Sequence, residues 1–246
     1  MSARGRALRL AALAATALGG VGLGVATGTV AALRHDRPMH AVGRTYHARL
    51  ERTGTTSDRS GVAWIDQPRA QGGLVRFSRG AGLPARLPDV QGVAIRLDEP
   101  GGHTDLLLSS SGLRGLSRFV LVPRRSPLRG AAGSLMPFRG PHGPLLLAVQ
   151  PAPDGSGRGD RRGTDLTDPD LRGTRWHLLW SGTSGPWREV GVLTVGEDAG
   201  PDVDRRTRFG PVTATPPGLP SYRWARLVRD PAYRAAQLLG RPGTGR

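Results

Sequence analysis

The chain contains no cysteine, no lysine and no asparagine, and only 5% of its 246 residues are aromatic. Without cysteine it forms no disulfide, no thiolate metal site and no thiol nucleophile. Without lysine no glycine-rich phosphate loop can end in Gly-Lys-Ser/Thr. The Gly-x-Ser-x-Gly turn of many serine hydrolases is also missing. Scarce aromatics weigh against nucleic acid as a partner, because base stacking needs rings interleaved with positive charge. The net charge is +16, but the 35 arginines are scattered along the chain rather than massed on one segment. No nucleic-acid partner is expected.

Glycine (37) and proline (21) are abundant instead, which favours short strands and frequent turns. Beyond residue 36 apolar side chains recur at period two. This predicts strands at 44–52, 61–65, 73–79, 92–97, 104–110, 117–122, 144–149, 175–181 and 188–195. Residues 133–143 and 151–174 read as irregular connections. Eight or nine short strands without crossover helices predict a mainly β fold, a closed antiparallel barrel of about eight strands.

Helices are expected at both ends. Residues 1–36 form a basic and apolar segment, within which 10–33 carries no charge for 24 positions. That length suits membrane association, or a helix packed on the barrel, with a cleaved leader as the third reading. Residues 37–246 form the barrel domain and its C-terminal helices. There Trp224, Leu227, Val228, Ala232, Ala235, Leu238 and Leu239 recur at helical intervals. Asp230-Pro231 resembles a helix start, and Gly240 a stop.

The six histidines are dispersed. The group His103–Asp105 reads as a polar turn entering a strand rather than a metal centre, so a metal-dependent hydrolase such as a phosphodiesterase ranks last. A stronger signal is an ordered set of segments: "RTYHAR" at 44–49, "VRFSRGAG" at 75–82, "LPDVQGVAIRL" followed by "DLLLSSSG", "FGPVTATPPGLP" at 209–220, and "RDPAY" at 229–233. In this order they resemble the haem catalases. In that family an Arg lies three residues before the essential distal histidine and an Ala follows it, a "VRFS" strand comes next, and an Arg-x-x-x-Tyr carries the proximal ligand.

The resemblance implies a ferric haem b cofactor, with Tyr233 as the phenolate ligand to iron, the catalase type of ligation. Arg229, one helical turn earlier, would be the cation that helps Tyr233 ionise. It implies His47 as general acid–base on a peroxide, with Ser78 orienting its ring on the inner face of the barrel. Arg44 and Arg76 would face the haem propionates. Ser109 stands where the family has a distal Asn, and Tyr46 where it has a small apolar residue. The implied activity is thus peroxidase-like, on an organic hydroperoxide rather than fast hydrogen peroxide dismutation. The rival is a non-catalytic barrel that binds an apolar ligand or lipid.

Overall fold

The computed structural model describes residues 42–55, 58–84, 86–153, 171–210 and 214–225. Nine antiparallel strands are present: β1 (Val42–Arg52), β2 (Arg69–Arg79), β3 (Gln91–Glu99), β4 (Gly102–Ser110), β5 (Ala132–Gly133), β6 (Phe138–Gly140), β7 (Gly143–Pro151), β8 (Arg175–Gly182) and β9 (Arg188–Asp198). β1 pairs with both β2 and β9, and the two-residue β5 bridges β4 to β7. The sheet therefore closes on itself as an eight-stranded barrel, with β6 added as a hairpin partner of β7. Closure removes the exposed strand edges that would otherwise invite pairing with other chains.

Alternation decides which side chains fill the barrel. Tyr46, Ala48 and Leu50 on β1, Val75 and Phe77 on β2, and Val93, Ile95 and Leu97 on β3 point inward. So do Leu147 and Val149 on β7 and Trp176, Leu178 and Trp180 on β8. Tyr46 packs edge-on to Phe77 (centroids 6.1 Å apart), and Phe77 lies 5.1 Å from Trp176. An eight-stranded barrel is just wide enough for side chains to fill, and these rings fill it.

Close strand approach needs glycine at two places in the wall. A Cβ on Gly73 would sit 2.0 Å from the Arg96 carbonyl oxygen, and one on Gly191 would sit 2.1 Å from that of Glu51. Backbone cannot yield as a flexible side chain can. Gly73→Ala should therefore cost about 1–3 kcal/mol, the usual range for overpacking, read as a lower urea midpoint.

Two expected strands are something else. Residues 61–65 enter the short helix α1 (Ala63–Asp66), where the amides of Ile65 and Asp66 both donate to the Val62 carbonyl. A short apolar run cannot distinguish helix from strand by period alone. Residues 117–122 begin in a 3-10 turn (Gly115–Phe119), entered at Gly115 with φ 47°. Conversely, the region 133–143, read as irregular, supplies part of β5 and all of β6. A second short helix, α2 (Pro201–Arg206), follows β9. The expected helices at 10–33 and beyond Ala225 lie outside the described residues, as do Arg229 and Tyr233. Among the described residues no helix is long and apolar enough to cross a membrane.

Candidate functional site

The strand register assembles one row across five strands. Gly43 of β1 faces Ser78 of β2, Ser78 faces Gly92 of β3, Gly92 faces Ser109 of β4, and Ser109 faces Gly133 of β5. Residues directly opposite share a face. Because Phe77, Val93 and Leu108 point inward, this row lies on the outer face of the wall. Ser78 is buried and Ser109 half-buried. No side chain in the row is larger than a hydroxymethyl group, so the row forms a flat strip carrying two hydroxyls.

Ser78 and Ser109, far apart in sequence, thus come within one strand of each other, on either side of Gly92. His47 does not join them. Its partner is Leu74, four ladder positions from the Gly43–Ser78 pair, or about 13 Å at the rise of a strand. Its side chain is exposed, on the outer face. The expected hydrogen bond from Ser78 on the inner face is therefore not made. A strand displaces every other side chain to the same face, so the correction follows from the register alone.

The two arginines differ in their settings. Arg76 is buried against α2: its Nε donates to Asp204 Oδ1 at 2.7 Å, where the Thr45 hydroxyl also donates at 2.6 Å. A Cβ on Gly43 would lie 2.7 Å from the Arg76 guanidinium, so glycine there makes room for that fork. Arg76 is thus committed to holding α2 on β1 and β2, which corrects the expectation that it faces a propionate. Arg44 meets Asp198 at 3.3 Å, with about a third of each side chain exposed. Such a pair is worth at most about 1 kcal/mol, but Arg44 faces Phe77 across the ladder and so lies on the inner face, opposite the strip.

Beside the strip, a buried ion pair anchors the chain after α2. Asp105 accepts from Arg96 at 2.8 Å (Nε) and 2.7 Å (Nη2), and from the Gly210 amide at 2.6 Å. The Arg96 guanidinium also lies over the Phe209 ring, 5.1 Å from its centroid. His103 lies 3.8 Å from the same carboxylate, but Asp105 is occupied structurally. Among the described residues no group of three or more His, Asp or Glu could hold a metal.

Of the three tyrosines, Tyr46 is fully buried among the core rings. Burial raises the pKa of its hydroxyl above the ordinary value, and the nearby Arg44 offsets this only in part. A phenol held protonated inside the wall is a poor anionic ligand. Tyr222 is half-buried just after the β6 partner Ser221.

A flat strip with two hydroxyls fits the distal side of a planar group such as haem. Neither Arg76, engaged by Asp204, nor Arg44, whose ladder partner Phe77 points inward, adds to that fit. Sequence reasoning also passed over one histidine. Residues 37–41, "RPMHA", place Arg37 three residues before His40 and Ala41 directly after it. That is the spacing assigned to 44–48, set seven residues earlier. His40 is three residues from Gly43, the partner of Ser78. Both Arg37 and His40 lie outside the described residues.

No family model and no curated protein matches the chain. Solved structures do. A bacterial catalase aligns over 86% of this chain and 60% of its own, with a TM-score of 0.58 and 12% identity. Catalase A from Saccharomyces cerevisiae aligns over 85% of this chain and 61% of its own, with a TM-score of 0.56 and 14% identity. At such identity the likeness shows the fold: this barrel is catalase-like, and the chain spans about three fifths of those catalases' length.

Proposed function

We propose that this chain is a haem-binding protein that reacts with peroxides, built on a reduced catalase-like barrel. The observation that carries the reading is the strip of Gly43, Ser78, Gly92, Ser109 and Gly133 on the outer wall. Ferric haem would supply the redox chemistry of O–O cleavage. The chain's own residues bind, orient and move protons.

Tyr233 is the proposed ligand to iron and Arg229 the cation that stabilises its phenolate, since an unperturbed tyrosine with a pKa of about 10 stays protonated at neutral pH. Arg37, three residues before His40, replaces Arg44 as the proposed partner for a propionate. His40, in place of His47, is the proposed general acid–base, taking the proton of one peroxide oxygen and returning it to the departing one. Ser78 is its proposed orienting partner. Ser109 offers a hydroxyl donor where catalases have a longer amide. A shorter donor with a different angle favours a bulkier hydroperoxide over rapid dismutation of hydrogen peroxide.

Titration of the full-length chain with ferric haem tests this reading. One-to-one binding with a high-spin ferric spectrum supports it. No binding above that of an unrelated basic protein overturns it, and leaves a barrel that keeps the fold for a non-catalytic ligand.

A further inference from the structure

We infer that the excursion between β4 and β5 is a docking tip for an anionic lipid surface. The 3-10 turn at its apex exposes three apolar side chains: Leu116 is 82% exposed, Val120 55% and Phe119 38%. In a 3-10 turn residues three apart lie one above the other, so Leu116 and Phe119 share a side, and Val120 follows at the end of the turn.

The tip is held firmly. Arg118 is buried, and its guanidinium donates to the carbonyls of Gly182 (2.9 Å), Leu113 (3.1 Å) and Gly185 (3.2 Å) and to the Ser181 hydroxyl (3.3 Å). It also lies 5.2 Å from the Trp187 ring centroid, while the Trp187 indole donates to the Leu113 carbonyl at 2.7 Å. At the base of the excursion Arg124 donates to the carbonyls of Ser111 and Ala131. A buried guanidinium bound by neutral oxygens fixes a loop without a carboxylate partner. The apolar residues are thus presented outward on a braced support, not left over from a floppy loop.

Charge selects the occupant. No acidic residue occurs between Asp105 and Asp154, a stretch that includes the whole excursion. Arg114 and Arg125 are exposed on it. Apolar side chains flanked by cations, with no acid among them, match the headgroup region of an anionic bilayer. There rings and aliphatics bury below the phosphates, and arginines near the surface add electrostatic attraction to the anionic headgroups.

The cysteine-free sequence permits a clean test in the full-length chain. Leu116→Cys, and Arg49→Cys on the outer face of β1 as a control, are each labelled with an environment-sensitive nitrobenzoxadiazole dye. They are then mixed with vesicles of phosphatidylglycerol and phosphatidylcholine. The label at 116 should shift to the blue with a several-fold rise in emission. The response should weaken with salt, in the Arg114→Gln/Arg125→Gln background, and on vesicles of phosphatidylcholine alone, while the label at 49 stays unchanged. A water-like label at 116 on vesicle-bound protein would assign binding to another segment and overturn the inference. Failure to bind vesicles would overturn it too. So would a blue shift without lipid that grows with protein concentration, which indicates self-association, or one produced equally by a soluble polyanion.

Discussion

In haem-reconstituted protein, His40→Ala should slow reaction with an organic hydroperoxide by roughly 10²–10⁴-fold, the span typical of general acid–base groups. His47→Ala should leave the rate nearly unchanged. The expectation for His47 follows from its position. Ser78 is buried and faces Gly43, whereas the exposed His47 is four ladder positions further along β1. A hydroxyl cannot orient an imidazole over that separation. Stopped-flow mixing with cumene hydroperoxide separates the two variants. The His47 variant as the slow one would return the role to the first-read motif and would mean that the register of β1 differs in the holoprotein.

Loss of the Asp105 carboxylate should be the most damaging single change to the described fold. Its side chain is fully buried and satisfies both Arg96 nitrogens and the Gly210 amide. Asp105→Ala leaves a largely buried guanidinium without its counter-ion and frees the segment that crosses β3 and β4. Removing one partner of a buried pair typically costs about 3–5 kcal/mol. Arg96 retains some access to water, so the lower end, about 3 kcal/mol, is expected. Asp105→Asn, which keeps an acceptor for Gly210, should lose less. Urea unfolding reads both, and a midpoint for Asp105→Ala close to wild type would contradict the account.

The barrel was legible because one face of each strand is buried. Strands β1 to β3 carry the period-two alternation that a half-buried antiparallel wall demands, whereas β4 and β7 are short apolar runs bounded by turns and polar residues. The errors arose where that signal fails. "GVAWI" is a continuous apolar run, and the Asp66 carboxylate gathers hydrogen bonds from Thr55, Ser60 and Gly61 around it to make a helical turn. "SRFVLV" has strand-like composition, yet Arg118 is drawn into a nest of carbonyl oxygens that no pattern of neighbours announces. β5 has only two residues, too few for any period, although it closes the barrel.

The candidate site was legible in its parts and not in their arrangement. Ser78 and Ser109 could be named from motifs, but only the pairings through Gly92 bring them into one row. Arg76 was named for its charge. Its engagement with Asp204, 128 residues later, depends on how α2 folds back over β1 and is invisible locally. For the histidine, two Arg-x-x-His-Ala sequences lie seven residues apart, at 37–41 and 44–48. Spacing alone cannot choose between them, because a strand face is fixed by register and not by motif.

Ligation by Tyr233 is the central claim, and the spectrum of the ferric complex tests it most directly. The full-length chain, Tyr233→Phe and the control Tyr222→Phe are each titrated with ferric haem and followed by optical absorption and electron paramagnetic resonance. Wild type and Tyr222→Phe should show the same high-spin ferric signal with a phenolate-to-iron charge-transfer band, and Tyr233→Phe should lose that band and retain haem weakly or not at all. A Tyr233→Phe complex with an unchanged spectrum and unchanged affinity would contradict the claim.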